Sequence, residues 1–192
     1  MGLLDTLLGR TKPVKPDLDE LFALPSAAVT LEAAGGLRPT GVGSVCVKSA
    51  EGAAFAGLRE QIDQLLAIDA ADGSRKYEES VDKYGFSWLS RRTSPEDMSG
   101  LVTDLHAMNS TLDGAGFGPA LLCTLVAFSD GSAPTLGLVY LFKRGTWYPF
   151  APIGDTKRDN AREMQVRAMV GDDLKIETDL ARWFPVWEAP GL

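Results

Sequence analysis

Histidine is almost missing from this sequence. His106 is the only one in 192 residues, which excludes any metal site built on a histidine pair. Cysteine is nearly as scarce, with Cys46 and Cys123 alone. Both sit in apolar, strand-like runs, where a free thiol behaves as a small hydrophobe. A disulfide between two strands stays open, because spacing in sequence fixes no distance. No apolar run approaches about 18 residues, so no membrane-spanning helix is expected. The N-terminus lacks a basic stretch followed by a long apolar one, so no signal peptide is expected either. Lysine and arginine number 19 against 26 acidic residues, a net charge of −7. That balance argues against nucleic-acid binding, which needs cations to displace counterions from phosphates. There are no internal repeats. No pair of carboxylates has a spacing that points to glycoside or metal chemistry.

What is present suits one soluble domain. Hydrophobic residues make up 45% and charged residues 23% of the chain, enough to bury a core without staples. The pattern predicts a single α+β domain over residues 17–192, a mostly antiparallel sheet packed by helices on one side. Residues 1–16 precede it as a short amphipathic helix and a linker broken by Pro13 and Pro16. Leu3, Leu4, Leu7 and Leu8 share one helical face. So short a helix needs a surface to cover its leucines. That surface is the chain's own domain, a second copy or, with Arg10, Lys12 and Lys15 nearby, a membrane contacted peripherally.

Further along, Asp17 reads as the cap of a short helix over Leu18–Leu24 that Pro25 and Ser26 end. Val29, Leu31 and Ala33 alternate as a strand. Leu37–Gly41 reads as a loop and Ser44–Lys48 as a strand. Residues 52–68 repeat Phe55, Leu58, Ile62, Leu65 and Leu66 at helical spacing, with Arg59, Glu60, Asp63 and Gln64 on the opposite side. Asp69–Lys76 is a polar loop. Tyr84–Leu89 is a strand with Tyr84, Phe86 and Trp88 on one face. Ser94-Pro95 opens a helix whose apolar stripe is Met98, Leu101, Val102, Leu105, Met108 and Leu112. Gly114–Gly118 closes that helix and opens a strand, the reverse of a dinucleotide-binding loop. Three strands follow, over Leu121–Phe128, Thr135–Phe142 and Trp147–Phe150, the last demoted to an edge by Pro149. A helix over Arg158–Val170 shows Ala161, Met164, Ala168 and Met169 on one side. Leu174 and Ile176 suggest one more short strand.

Candidate functional residues are few. Asn109 lies inside an apolar stripe, so its amide must find backbone partners or face a ligand. His106 stands at the stripe's edge with no nucleophile or orienting group to form a catalytic set. These two and the Tyr84–Trp88 aromatics are the residues a small-ligand pocket would join. Leu180, Trp183, Phe184, Val186 and Trp187 form an aromatic tail, packed back or offered to a partner. Asp155, Lys157 and Arg158 could hold a phosphate, though such a run reads equally as a solvated face. No cofactor and no metal are expected.

Six stretches carry a family resemblance: Met1-Gly2-Leu3-Leu4-Asp5 with Lys15-Pro16-Asp17-Leu18; Leu21-Phe22-Ala23-Leu24-Pro25-Ser26-Ala27; Leu37-Arg38-Pro39-Thr40-Gly41; Leu101-Val102-Thr103-Asp104-Leu105-His106 through Asn109; Gly116-Phe117-Gly118; and Gly137-Leu138-Val139-Tyr140-Leu141 with Tyr148-Pro149-Phe150-Ala151-Pro152. On these the chain resembles the PspA-associated family PspAB of actinobacteria. The resemblance implies a non-enzymatic, cytoplasmic accessory protein of a phage-shock type of envelope-stress response. Its partners would be a PspA-like coiled coil, a membrane protease of the HtpX kind, or both. None of the matching stretches is a catalytic signature, so no catalytic residue is carried over. Alternatives from the residues are a chaperone-like module holding an extended segment on the Trp147–Phe150 edge, or a small-ligand domain.

Overall fold

The computed structural model describes residues 16–48, 77–131 and 135–192, together with Gly57, Glu60 and Gln64. Leu3, Leu4, Leu7, Leu8 and the Asp69–Lys76 loop lie outside the described residues. Most of the helix expected over 52–68 does too, but Gly57, Glu60 and Gln64 are helical and exposed.

The centre is a six-stranded sheet in the order β2-β3-β1-β4-β5-β6. The strands are β1 (Arg38–Lys48), β2 (Glu78–Val81), β3 (Phe86–Arg92), β4 (Leu121–Ser129), β5 (Leu136–Leu141) and β6 (Thr146–Phe150). Every neighbouring pair is antiparallel. Successive side chains point to opposite faces, so β5 sends Leu136, Leu138 and Tyr140 to one core and Val139 and Leu141 to the other. Burial on both faces explains why β4 and β5 read as continuous apolar runs.

One face is covered by helices α1 (Leu24–Gly35), α2 (Met98–Leu112) and α3 (Asn160–Val170). The stripe of α2 is buried as its spacing predicts. The strand β1 passes so close beneath it that a Cβ on Gly43 would sit 2.7 Å from Leu105 Cδ1. Only glycine allows that approach. A two-strand ribbon, β7 (Pro152–Ile153) and β8 (Lys157–Arg158), leads into α3.

Several local expectations are corrected. Val29, Leu31 and Ala33 are helical, in α1. Pro25 sits in its first turn, where the missing N–H costs nothing, so it starts the helix instead of stopping one. Leu24, Ala27, Ala28 and Leu31 form its buried face, and the chain ends it with Gly36 N–H donating to Glu32 O. The expected loop at Leu37–Gly41 lies largely in β1, where Arg38 and Pro39 pair with Ser129 and Phe128 before an irregularity at Gly41, whose φ is +76°. The true cap of α2 is Asp97, whose carboxylate accepts from Gly100 N at 3.0 Å. Ser94 instead bonds Glu96. On α3 the buried residues are Glu163, Val166 and Val170, while Ala161, Met164 and Ala168 are exposed. The side chain of Glu163 is drawn inward because it accepts from Arg158 Nε and from Ala151 N at 2.9 and 3.0 Å.

The opposite face is covered by the C-terminal tail, residues 177–192, which has only one short 3-10 turn. Trp183 stacks on Tyr148 at 5.9 Å, and Trp187 meets Phe150 edge-on at 4.9 Å. The tail comes down onto β1 and β4 at Gly191, where a Cβ would lie 2.9 Å from Ala127 and 3.0 Å from Val42.

Candidate functional site

The tail covers only part of its face. It seals the sheet where β1 begins and β4 ends, around Val42 and Ala127. Toward the other end of those strands it leaves a groove of about 590 Å³. The floor is Cys46 of β1, Cys123 of β4 and Leu141 of β5. Phe86 and Trp88 of β3 form one wall with Tyr84. Tyr148 and the tail residues Phe184, Val186 and Trp187 form the other. The volume falls in the range that takes one small molecule.

The polar groups of the aromatic walls and floor are already engaged. Asp82, which the sequence reading did not single out, organises the aromatic wall. One carboxylate oxygen accepts from Tyr84 N and Phe86 N at 2.9 and 3.0 Å, and the other accepts from Trp88 Nε1 at 3.0 Å. This is a side-chain-stabilised turn, so Tyr84 lies in the turn and β3 begins only at Phe86. Tyr148 Oη donates to Phe184 O at 2.7 Å, and burial pushes its phenol well above the usual range. Cys46 and Cys123 are directly opposed across the ladder, buried and free. Their thiol–thiol hydrogen bond, followed by burial, pushes Cys46 far above the ordinary thiol range. It is therefore protonated and a poor nucleophile.

The tail is held by a second set of contacts. Glu177 is buried and accepts from Arg144, from Thr146 Oγ1 and from Asp179 N, the last two at 3.0 Å. Burial acts to raise its pKa, but the donors outweigh burial and hold the carboxyl below its ordinary value. Residues 175–177 lie along β6: Trp147 N donates to Lys175 O, and Glu177 N donates to Trp147 O. The chain thus covers part of the edge on which an extended partner segment was expected. Arg158, bound by Glu163, also donates to Trp183 O at 2.6 Å. It is committed to holding the tail, while Asp155 and Lys157 are exposed.

The other candidates stand apart from the groove. Asn109 is fully buried on the helix side. Its Nδ2 donates to Leu105 O and to Thr124 Oγ1, both at 2.8 Å, so the amide ties α2 to β4. His106 lies 3.7 Å from Asp19 and its ring is 4.9 Å from Phe22, near the surface of the helix layer. The sheet separates both from Tyr84, Phe86 and Trp88, which do line the groove together. Of the tail residues, Trp183 is buried, Trp187 half-buried, and Phe184 is 57% exposed at the groove's margin. Among the described residues no three His, Cys, Asp or Glu side chains are grouped as metal ligands. No described helix is long and apolar enough to cross a membrane.

Sheet, helix layer and groove define a two-layer α+β domain with an apolar, ligand-sized recess behind its sheet. The chain belongs to the PspAB family: the model described as PspA associated protein B matches residues 1–191. The family name indicates association with PspA. No curated protein and no solved structure matches the chain.

Proposed function

We propose that this protein is a non-enzymatic accessory factor of a phage-shock-type envelope-stress response, acting by binding a PspA-like coiled coil. The observation that carries this reading is the family match over residues 1–191. The surface gives it support of a second kind. Phe184 and Leu180 are exposed on the tail and Tyr84 on the facing turn. An aromatic rim of this sort is the composition that dominates protein contacts. An HtpX-like membrane protease is the second partner in this reading. Residues 1–16 then bring an otherwise cytoplasmic domain to the inner face of the membrane.

The test is crosslinking of the full chain in native-host lysate, membranes included, with captured proteins identified by mass spectrometry. Recovery of the PspA-like protein, weakened by Phe184→Ser with Leu180→Ser, is the expected result. Recovery of neither a PspA-like protein nor an HtpX-like protease sinks the reading. Undiminished capture by the double variant moves the contact off the tail.

A chaperone-like reading is favoured by a different observation. The β2 strand is exposed along its whole length and, among the described residues, pairs only with β3, so a partner strand has an edge to join there. Capture that disappears when Ser80 is changed to proline, and is indifferent to the tail variants, would select it.

A further inference from the structure

We propose that the groove behind the sheet binds a single-chain amphiphile with an anionic end, an alkyl chain terminating in a carboxylate or phosphate. This goes beyond the partner reading and does not depend on it.

Three observations combine. The first is the lining. Leu122, Leu141, Val186 and the rings of Phe86, Trp88 and Trp187 present apolar surface. The two buried, free thiols at the floor add to it. The native polar groups face one another: Asp82 is taken by three N–H donors and Tyr148 by a carbonyl. Such a surface rewards hydrocarbon and offers no second polar point deep inside.

The second is charge. Lys48, Lys143, Arg144 and Arg182 border the groove against, among the described residues, one carboxylate, Asp82, in a chain whose net charge is −7. Glu177 answers Arg144 and Asp179 answers Arg182. Lys48 and Lys143 have no carboxylate at ion-pair distance among the described residues. Both are exposed, and Lys143 Nζ donates to the Pro119 carbonyl at 2.6 Å.

The third is placement. Lys48 ends β1, and Lys143 follows the end of β5. Those strands flank the start of β4, so their backbones stand two strand spacings apart, about 10 Å. Two long side chains at that separation can converge on one head group above Leu122. The occupant thus has its chain over the thiols and its charge between the lysines. A cationic head would meet repulsion there. The volume of about 590 Å³ is that of a site for one small molecule, not a two-tailed lipid.

The experiment titrates the full-length protein with sodium laurate, dodecyl phosphate, dodecyltrimethylammonium and dodecyl maltoside, each below its micelle concentration. Tryptophan emission is the readout, since Trp88 and Trp187 line the groove. Calorimetry supplies the stoichiometry. Laurate and dodecyl phosphate are expected to saturate one site, about tenfold tighter than the trimethylammonium compound, as two exposed charge pairs would give. Lys48→Glu with Lys143→Glu should erase or invert that order while leaving the melting curve in place. A Cys123→Phe variant, filling the floor, should abolish binding of every probe; its folding is checked by circular dichroism. Equal affinity for all four heads, preference for the cation, or no saturable binding overturns the proposal. So does anionic affinity untouched by the lysine changes. Binding to phosphatidylglycerol vesicles without binding of monomeric laurate assigns the lysines to a membrane surface and also overturns it. The pull-down and this titration are independent, so failure of one leaves the other standing.

Discussion

The two faces of the sheet are closed by different means. On one side, α1, α2 and α3 present regular stripes, and the core runs unbroken from Leu24 and Leu31 through Leu101, Leu105 and Met108 to Val126 and Phe128. On the other side a tail with little regular structure does the covering, pinned by a few contacts at Trp183, Glu177 and Gly191. A helix covers a sheet evenly because its side chains recur every turn. A tail covers only where its anchors fall, and the remainder is the groove. Stability is thus concentrated on the helix face, and the capacity to bind something is left on the tail face.

That contrast can be broken by substitution. Gly43→Val places a side chain into Leu105 and should produce the largest loss, about 3 kcal/mol, read as a fall in the denaturant midpoint. Glu163→Ala leaves Arg158 partly buried without its carboxylate and Ala151 N without an acceptor. A loss of about 3 kcal/mol is expected by melting, together with slackening of the tail through Trp183 O. Trp187→Ala removes a ring only half-buried on the tail face. It should cost about 1 kcal/mol, well under a full core truncation, while widening the groove. Phe184→Ser should stay within about 0.5 kcal/mol of the parent. If Trp187→Ala proves as damaging as Gly43→Val, the two faces are energetically alike and the contrast fails.

Acid sharpens the comparison without mutation. Glu177 has its folded pKa held below its ordinary value of 4.5. Its contribution is therefore complete above that value and is lost as pH falls through the lower, folded one. The helix face has an acid-sensitive tie of its own, since Asp173 accepts from Ser26 and Thr30 and lies below its ordinary range. But α1 is also pinned there by fully buried leucines. On acidification, tryptophan emission from Trp183 and Trp187 should change before the far-ultraviolet dichroism of the helices. Simultaneous change would show that the tail and helix layer release together.

The helix face was legible where the apolar period was clean. The stripe of α2 and the β4–β6 run can be read from residue types alone. The start of α1 was not, because Pro25 both opens and closes helices, and Val29 with Leu31 and Ala33 mimics alternation. Only packing against α2 and α3 decides between them. Glu163 misled the reading of α3, because a carboxylate is placed outside by default and its partner Arg158 is what brings it in. The tail face was legible only in part. Phe86 and Trp88 share a face by simple alternation. The groove itself depends on residues near positions 46, 84, 123 and 187 meeting, which no local pattern encodes. Asp82 gave no signal at all, since its role exists only once the β2–β3 turn has formed.

The strip of chain from Lys175 to Glu177 along β6 has one more effect. Among the described residues it leaves the sheet one open side, at β2, where Glu78 and Glu79 stand exposed among four residues. Two copies meeting there would set acid against acid along the line where hydrogen bonds would have to form. Like charge at that edge therefore opposes the joining of sheets end to end into fibres.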